Sequence, residues 1–224
     1  EFGPAMISDN CLFNNAALGA MFAREFLGLN RVLIVDWDVH HGNGTQHAFE
    51  HDPSVLFFSI HQYPLFPGTG LFTETGRGKG EGFTVNIPIP KGYADGEYVA
   101  LFENFLRPLA IQFGPELILV SAGFDTHKSD PMGGMKMSPA GFASLTRSLM
   151  QTAEICCGGK LVLSLEGGYN LTALGASVKA VIQELAGFSE SDPPKIAARA
   201  KRRKLEYAMK RSLYVQREFW KLEA

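Results

Sequence analysis

The sequence predicts an α/β domain built on an open parallel sheet, and three observations carry that prediction. Short apolar, β-branched runs recur along the chain, as in Arg31-Val-Leu-Ile-Val35 and Glu116-Leu-Ile-Leu-Val120. Longer segments with helical periodicity separate them, which is the alternation that parallel strands require. Several runs end in Asp, Ser or Glu followed by glycine-containing loops, and the C-terminal ends of such strands are where α/β proteins place their chemistry.

The elements follow in order. Asn14 to Leu29 reads as a helix, Ala-rich and with Gly28 near its end. Strands are expected over 31–36, 54–60 and 83–89. A helix over 95–113 leads to a strand at 116–121, and Pro108 should kink or interrupt that helix because it lacks an N–H and its ring crowds the preceding turn. A helix over 138–157 and a strand at 160–165 complete the rhythm. The Gly-rich stretch from Thr69 to Gly82 precedes a strand rather than a helix N-terminus, so it reads as a long loop and not as a phosphate cradle.

Composition shifts after Gly187. Ser189-Glu-Ser-Asp-Pro-Pro194 reads as a linker or helix start, and Lys195 to Ala224 as a basic amphipathic helix carrying Lys201-Arg-Arg-Lys204, with Leu205, Met209, Leu213 and Trp220 at helical spacing. Such a helix fits a contact with nucleic acid or an acidic partner. It equally fits docking through its apolar stripe with the basic face in water, which a single charged helix favours. The expected division is therefore 1–188 for the main domain and 189–224 for a C-terminal helix docked on it.

With 224 residues, 46% of them hydrophobic, the chain can bury one sizeable core, and a net charge of -2 provides no global attraction to nucleic acid or an anionic membrane. Cys11, Cys156 and Cys157 include no C-x-x-C pair, so neither a disulfide framework nor a cysteine zinc site is indicated, and a reducing compartment fits: cytoplasmic, or nuclear in a eukaryote. No apolar run approaches the roughly 20 residues of a membrane span, and the N-terminus lacks the basic start and apolar stretch of a signal peptide. Oligomeric state is not legible.

The chemistry-bearing segment is Asp36-Trp-Asp-Val-His-His-Gly-Asn-Gly44, delivered by the first strand. Asp38 and His40 alternate with Trp37 and Val39, so an extended strand end projects both to one face. Asp125, in Ser121-Ala-Gly-Phe-Asp-Thr126, lies just beyond another buried strand. Two carboxylates and one neutral imidazole leave an open position on a tetrahedral Zn²⁺, the arrangement of a catalytic site. Each residue alone has a plainer reading, as a helix cap or a satisfied polar group. Glu166-Gly-Gly-Tyr-Asn170 ends a third strand, and its two glycines either let backbone approach a ligand or make an ordinary turn with Tyr169 packed on the sheet.

Together with Phe66-Pro-Gly-Thr-Gly70 and Asp130-Pro-Met-Gly-Gly134, these segments resemble the histone deacetylase superfamily, which includes acetylpolyamine amidohydrolases and acetoin-utilisation proteins. The match covers about residues 11 to 188. The resemblance implies an open three-layer parallel sheet of the arginase-deacetylase type, and hydrolysis of acetyl groups from acetyl-lysine side chains, with small acetylated amines as the alternative substrate. It implies one Zn²⁺ on Asp38, His40 and Asp125, a carbonyl-polarising Tyr169, and Asp36 orienting a catalytic histidine, with Asn43 at a catalytic-site position where some members have Asp and others Asn. A monovalent cation, K⁺, is implied at Asp36, Asp38, His40, Ser59 and Ile60, and a weaker one at Phe49, Asp52, Val55 and Phe83. Phe66, Met132 and Gly168 match positions at the acyl-lysine tunnel, and a neutral Met132 stands where an acidic residue would favour cationic polyamines. No membrane or nucleic-acid partner is implied.

The departures are at the N-terminus. The family's tandem His-His general base lies upstream of a segment that Cys11-Leu-Phe-Asn-Asn15 matches, no His precedes His40, and Asp9-Asn10 replaces the expected Gly-Phe. The sequence therefore predicts a fold incomplete at the N-terminus, with residues 1–10 poorly packed, one sheet or pocket edge exposed, and a metal-binding chain with little turnover of its own.

Overall fold

The computed structural model describes residues 13–222. Five parallel strands form one sheet in the order β3-β2-β1-β4-β5: β1 Val32–Asp36, β2 Val55–Gln62, β3 Thr84–Ile89, β4 Leu117–Ala122 and β5 Leu161–Leu165. The chain winds outward from β1 to β3, then returns to lay β4 on the other side of β1. This reversal puts Asp36 opposite Ser121 and opens a crevice beyond the paired carboxyl ends of β1 and β4, the switch point at which α/β sheets bind ligands.

Strand alternation builds the two helical layers. Leu33 and Val35 face a large core, with Trp37, Phe58, Phe102 and Phe142 among its members. Val32 and Ile34 face a smaller one under α1, Asn15–Leu27. Alanines 16, 17, 20 and 23 form the buried stripe of α1 and let it lie close to the sheet. Its start is fixed by Asn14, whose side chain accepts from Ala17 N, and its end by Gly28 at φ 69°.

The expected 95–113 helix is continuous but irregular. α3, Asp95–Leu101, passes through a π-helical turn at Phe102–Leu106 into α4, Arg107–Phe113. The widened turn lies against the face where the Pro108 ring would otherwise meet the carbonyl of Asn104, so the proline is absorbed as a bulge rather than a break. Two helices lie where the sequence reading named no element. α2, Asn43–Phe49, is only seven residues long with no side-chain cap, and α6, Leu171–Leu185, follows the Tyr169 turn with Asn170 as its cap. Between them comes α5, Pro139–Cys157, started by Ser138.

The C-terminal helix is two helices, α7 Pro193–Ala197, capped by Asp192, and α8 Arg202–Gln216. α8 lies along the outer edge of β3. Ser212 Oγ donates to Asn86 O, Gln216 Nε2 to Thr84 O, and Trp220 Nε1 to Gly82 O, all at 2.8 Å. The spacing explains the match, because four helical residues rise about 6 Å and two strand residues about 6.6 Å. The opposite edge differs. β5 pairs only with β4 among the described residues, and Val162 and Leu165 are 54% and 58% exposed. Residues 1–10, Cys11 and the Asp9-Asn10 substitution lie outside the described residues. Among those that are described, no helix is long and apolar enough to cross a membrane.

Candidate metal centre

β1 ends at Asp36, and the next residues bend rather than continue as a strand. Asp36 Oδ1 accepts from Asp38 N at 3.0 Å, and Asp38 Oδ1 accepts from His40 N at 2.8 Å, two successive Asx-type turns. The alternation survives the bend: Trp37 and Val39 are fully buried, whereas Asp38 and His40 meet Asp125 from the end of β4.

One ligand atom from each of Asp38, His40 and Asp125 lies within 4.8 Å of the others. His40 Nδ1 is 3.1 Å from Asp38 Oδ1 and 3.2 Å from Asp125 Oδ2. Donors about 2.0–2.1 Å from a tetrahedral zinc stand about 3.3 Å apart, so the spacing fits. Asp125 Oδ1 accepts from Val39 N at 2.8 Å, but Oδ2 is buried with no aligned hydrogen bond despite its closeness to His40. An anionic oxygen left so, beside an imidazole nitrogen, is a vacancy in bonding that a cation satisfies.

The electrostatics agree. Burial disfavours charge on His40, yet the close Asp125 and Asp38 carboxylates outweigh it and raise its pKa to about 10. Burial, then repulsion from Asp38, pushes Asp125 up to about 7. Two carboxylates crowded beside one imidazole favour positive charge between them, which a metal ion would supply.

Two glycines make room for this. A Cβ on Gly123 would sit 2.0 Å from Asp38 Oδ2, and one on Gly167 would sit 2.7 Å from Asp125 Oδ2 and 2.8 Å from Asp38 Oδ2. The sequence marks Gly167 for close backbone approach, though what approaches is the ligand carboxylates. Gly123 went unmarked, its only local signal being a glycine directly after a strand.

The other named residues fall into two groups. Asp36 is buried, and a Cβ on Gly42 would lie 2.3 Å from its Oδ2; Asn43 begins α2 with its Oδ1 buried and without a hydrogen bond. Ser59 and Ile60 are buried in β2, with Ser59 Oγ 2.9 Å from His61 Nδ1. The carbonyls of Phe49, Asp52 and Phe83 accept from the amides of Asp52, Val55 and Phe57. Phe66, Met132 and Tyr169 are exposed, and Gly168 adopts φ 140° against Leu174 and Phe124. Asp130 joins two of these loops, accepting from Met132 N at 3.0 Å, Tyr169 N at 2.7 Å and Asn170 N at 3.0 Å.

Behind the loop carrying Phe66 is a buried network that sequence reasoning left unassigned. His41 Nδ1 lies 2.8 Å from Thr69 Oγ1 and its Nε2 3.0 Å from Gln46 Oε1; Gln46 donates to Glu74, and His61 Nε2 lies 2.9 Å from Gly70 O. Burial lowers the pKa of both imidazoles, that of His61 well below its usual range, so both are neutral supports.

A family model of the histone deacetylase domain matches residues 7–185. Histone deacetylase 14, chloroplastic, of Arabidopsis thaliana is 42% identical over 206 residues, covering 90% of this chain and 49% of the relative. The polyamine deacetylase HDAC10 of Danio rerio is 48% identical over 184 residues, covering 79% and 26%. Among solved structures, the HDA15 HD domain superposes with a TM-score of 0.82 at 40% identity, covering 94% of this chain and 57% of that one. The chain spans about half or less of the length of these curated relatives.

Proposed function

Because the chain belongs to the histone deacetylase superfamily, we propose that it is a zinc-dependent amidohydrolase acting on acetyl-lysine side chains of proteins. The observation that carries this reading is the convergence of Asp38, His40 and Asp125 at the β1–β4 switch point. A zinc ion held there supplies Lewis acidity, polarising a carbonyl and acidifying a water.

The chain's own residues do the rest. Tyr169 donates its hydroxyl to the acetyl oxygen as negative charge develops on it. Asp130 fixes the turn that presents Tyr169 by accepting from its backbone N–H. Phe66 and Met132 flank the aliphatic stem of the acyl-lysine, and Gly168 leaves room for it. Asp36 and Asn43 would orient the group that takes the proton from water, and the Asp36, Asp38 and His40 backbone, with Ser59 and Ile60, would hold a K⁺ that braces the ligand loop.

Hydrolysis also needs a general base. The six histidines of the chain are all otherwise placed. His40 is in the ligand set and His41 and His61 in the buried network. His47 and His51 flank Glu50 on the surface, and His127 Nδ1 accepts from Ser129 N. The zinc-loaded chain should therefore bind a hydroxamate inhibitor yet turn over a fluorogenic acetyl-lysine peptide about 10²- to 10⁴-fold more slowly than a form extended upstream. Equal turnover would sink the assignment of these histidines.

A second reading, hydrolysis of acetylpolyamines, is favoured by the 48% identity to a polyamine deacetylase. The neutral Met132 weighs against it. Comparing kcat/KM for an acetyl-lysine peptide and acetylspermidine in the extended form separates the two.

A further inference from the structure

The rim of this site carries positive charge that no carboxylate neutralises. Gly133 packs against the carbonyl oxygen of Asp125, where a Cβ would come within 2.7 Å. Gly134 donates to Gln62 Oε1 and accepts from Gly92 N, and Lys136 N donates to Tyr93 O. The segments around 91–94 and 132–136 thus run side by side a few residues from a metal ligand. A Cβ on Gly134 would lie 2.8 Å from Lys91 Cβ, so the Lys91 stem crosses the backbone two residues from Met132. Lys128 is tied to the same segment through its N–H to Met137 O. Lys204 of α8 reaches in behind, bonding Gly92 O and lying 5.0 Å over the Tyr93 ring.

Lys91, Lys128 and Lys136 are exposed. Among the described residues, no lysine takes part in an ion pair. The nearby carboxylates are turned inward onto the backbone. Asp95 accepts from Ser138 N and Oγ, Glu97 from Ala94 N and Lys201 N, and Asp130 from the amides already named. What a ligand meets at this surface is ammonium.

We propose that Lys91, Lys128 and Lys136, backed by Lys204, form a docking rim for acidic residues flanking the acyl-lysine, so that the favoured substrates are acidic acetyl-lysine peptides. The proposal rests on the deacetylase reading above. A peptide is the occupant because the rim flanks the segment carrying Met132, read above as flanking the acyl-lysine stem, so residues on either side of that lysine pass over it.

The test is fluorescence anisotropy on the zinc-loaded chain with labelled acetyl-lysine peptides flanked by Glu, by Gln or by Lys, and with the unacetylated Glu peptide. The Glu-flanked peptide should bind about tenfold more tightly than the Gln-flanked one, the combined size of three exposed ion pairs. That preference should shrink between about 30 and about 300 mM salt. In the Lys91→Glu/Lys136→Glu double variant it should reverse with zinc content unchanged, and Lys136→Gln alone should lower it. Acetyl-dependent binding with no flank preference, or a preference that survives in the double variant, would overturn the rim. So would equal binding of the unacetylated peptide or displacement by single-stranded DNA, which would make it a general polyanion patch. If no peptide binds in an acetyl-dependent way, the deacetylase reading fails and the rim falls with it.

Discussion

Single atoms decide the metal centre. His40→Ala or Asp125→Ala should lower zinc affinity by more than about 100-fold, since even residues that only orient a ligand are worth about 10- to 100-fold. Gly123→Ala should do comparable damage without touching a ligand, because its methyl would claim the space of Asp38 Oδ2; zinc stoichiometry after dialysis checks all three, and full loading of Gly123→Ala would refute the steric argument. The pH dependence also follows. The raised His40 value stabilises the metal-free fold fully below 6.5 and is lost as pH rises through about 10, and that of Asp125 below 3.8 and lost through about 7. Both act in one direction, so the zinc-free protein should lose thermal stability from about pH 6 to about pH 9 while the zinc-induced increase in Tm grows. The convergence of Asp38, His40 and Asp125 was legible because strand end, donor type and spacing are local properties. Gly123 and the His41–His61 network were not, since what they touch, Asp38 in one case and Gly70, Gln46 and Glu74 in the other, is brought there by the fold.

At the scale of elements, the strands were readable from their apolar runs, since β1, β2 and β4 are buried on both faces and β5 keeps the same composition although one border of the sheet is exposed. Helices were readable unevenly, for the 15-residue α6 was missed while the 13-residue α1 was read. α5 has a proper start in Ser138-Pro139 and nineteen residues of pattern, whereas α2 has seven residues and no side-chain cap. The π turn before Pro108 is a local remedy that periodicity alone does not reveal. Basic composition drew attention to the charged face of α8, yet its opposite face does the holding, through Ser212 and Gln216 against alternate carbonyls of β3, with Trp220 just past the helix bonding Gly82 just before the strand. Removing them as Ser212→Ala, Gln216→Ala and Trp220→Phe orphans buried acceptors, and each should cost about 1 to 3 kcal/mol in urea unfolding. Losses near zero for all three would mean that the apolar contacts of Leu213 and Leu222 suffice.

At the scale of the whole molecule, the sheet has, among the described residues, one covered border and one bare. β3 is closed by α8, but β5 presents backbone and exposed Val162 and Leu165 to solvent. Such a border is a template for another strand. The chain should therefore self-associate with rising concentration in sedimentation velocity, and Val162→Lys should shift it toward monomer without changing zinc content; a monomer at all concentrations would show the border to be blunted already. The register that sets Asp36 beside Ser121 has a consequence in time as well as space. Asp38 and His40 come from one side of that pairing and Asp125 from the other, with two strands, their helices and the long glycine-rich loop between them in the chain. No partial intermediate lacking the β1–β4 pairing can hold the ion with all three donors, because closing so long a loop must come first. If the centre takes zinc as proposed, high-affinity capture should come late in refolding, and its appearance would mark the moment when the two halves of the sheet have joined.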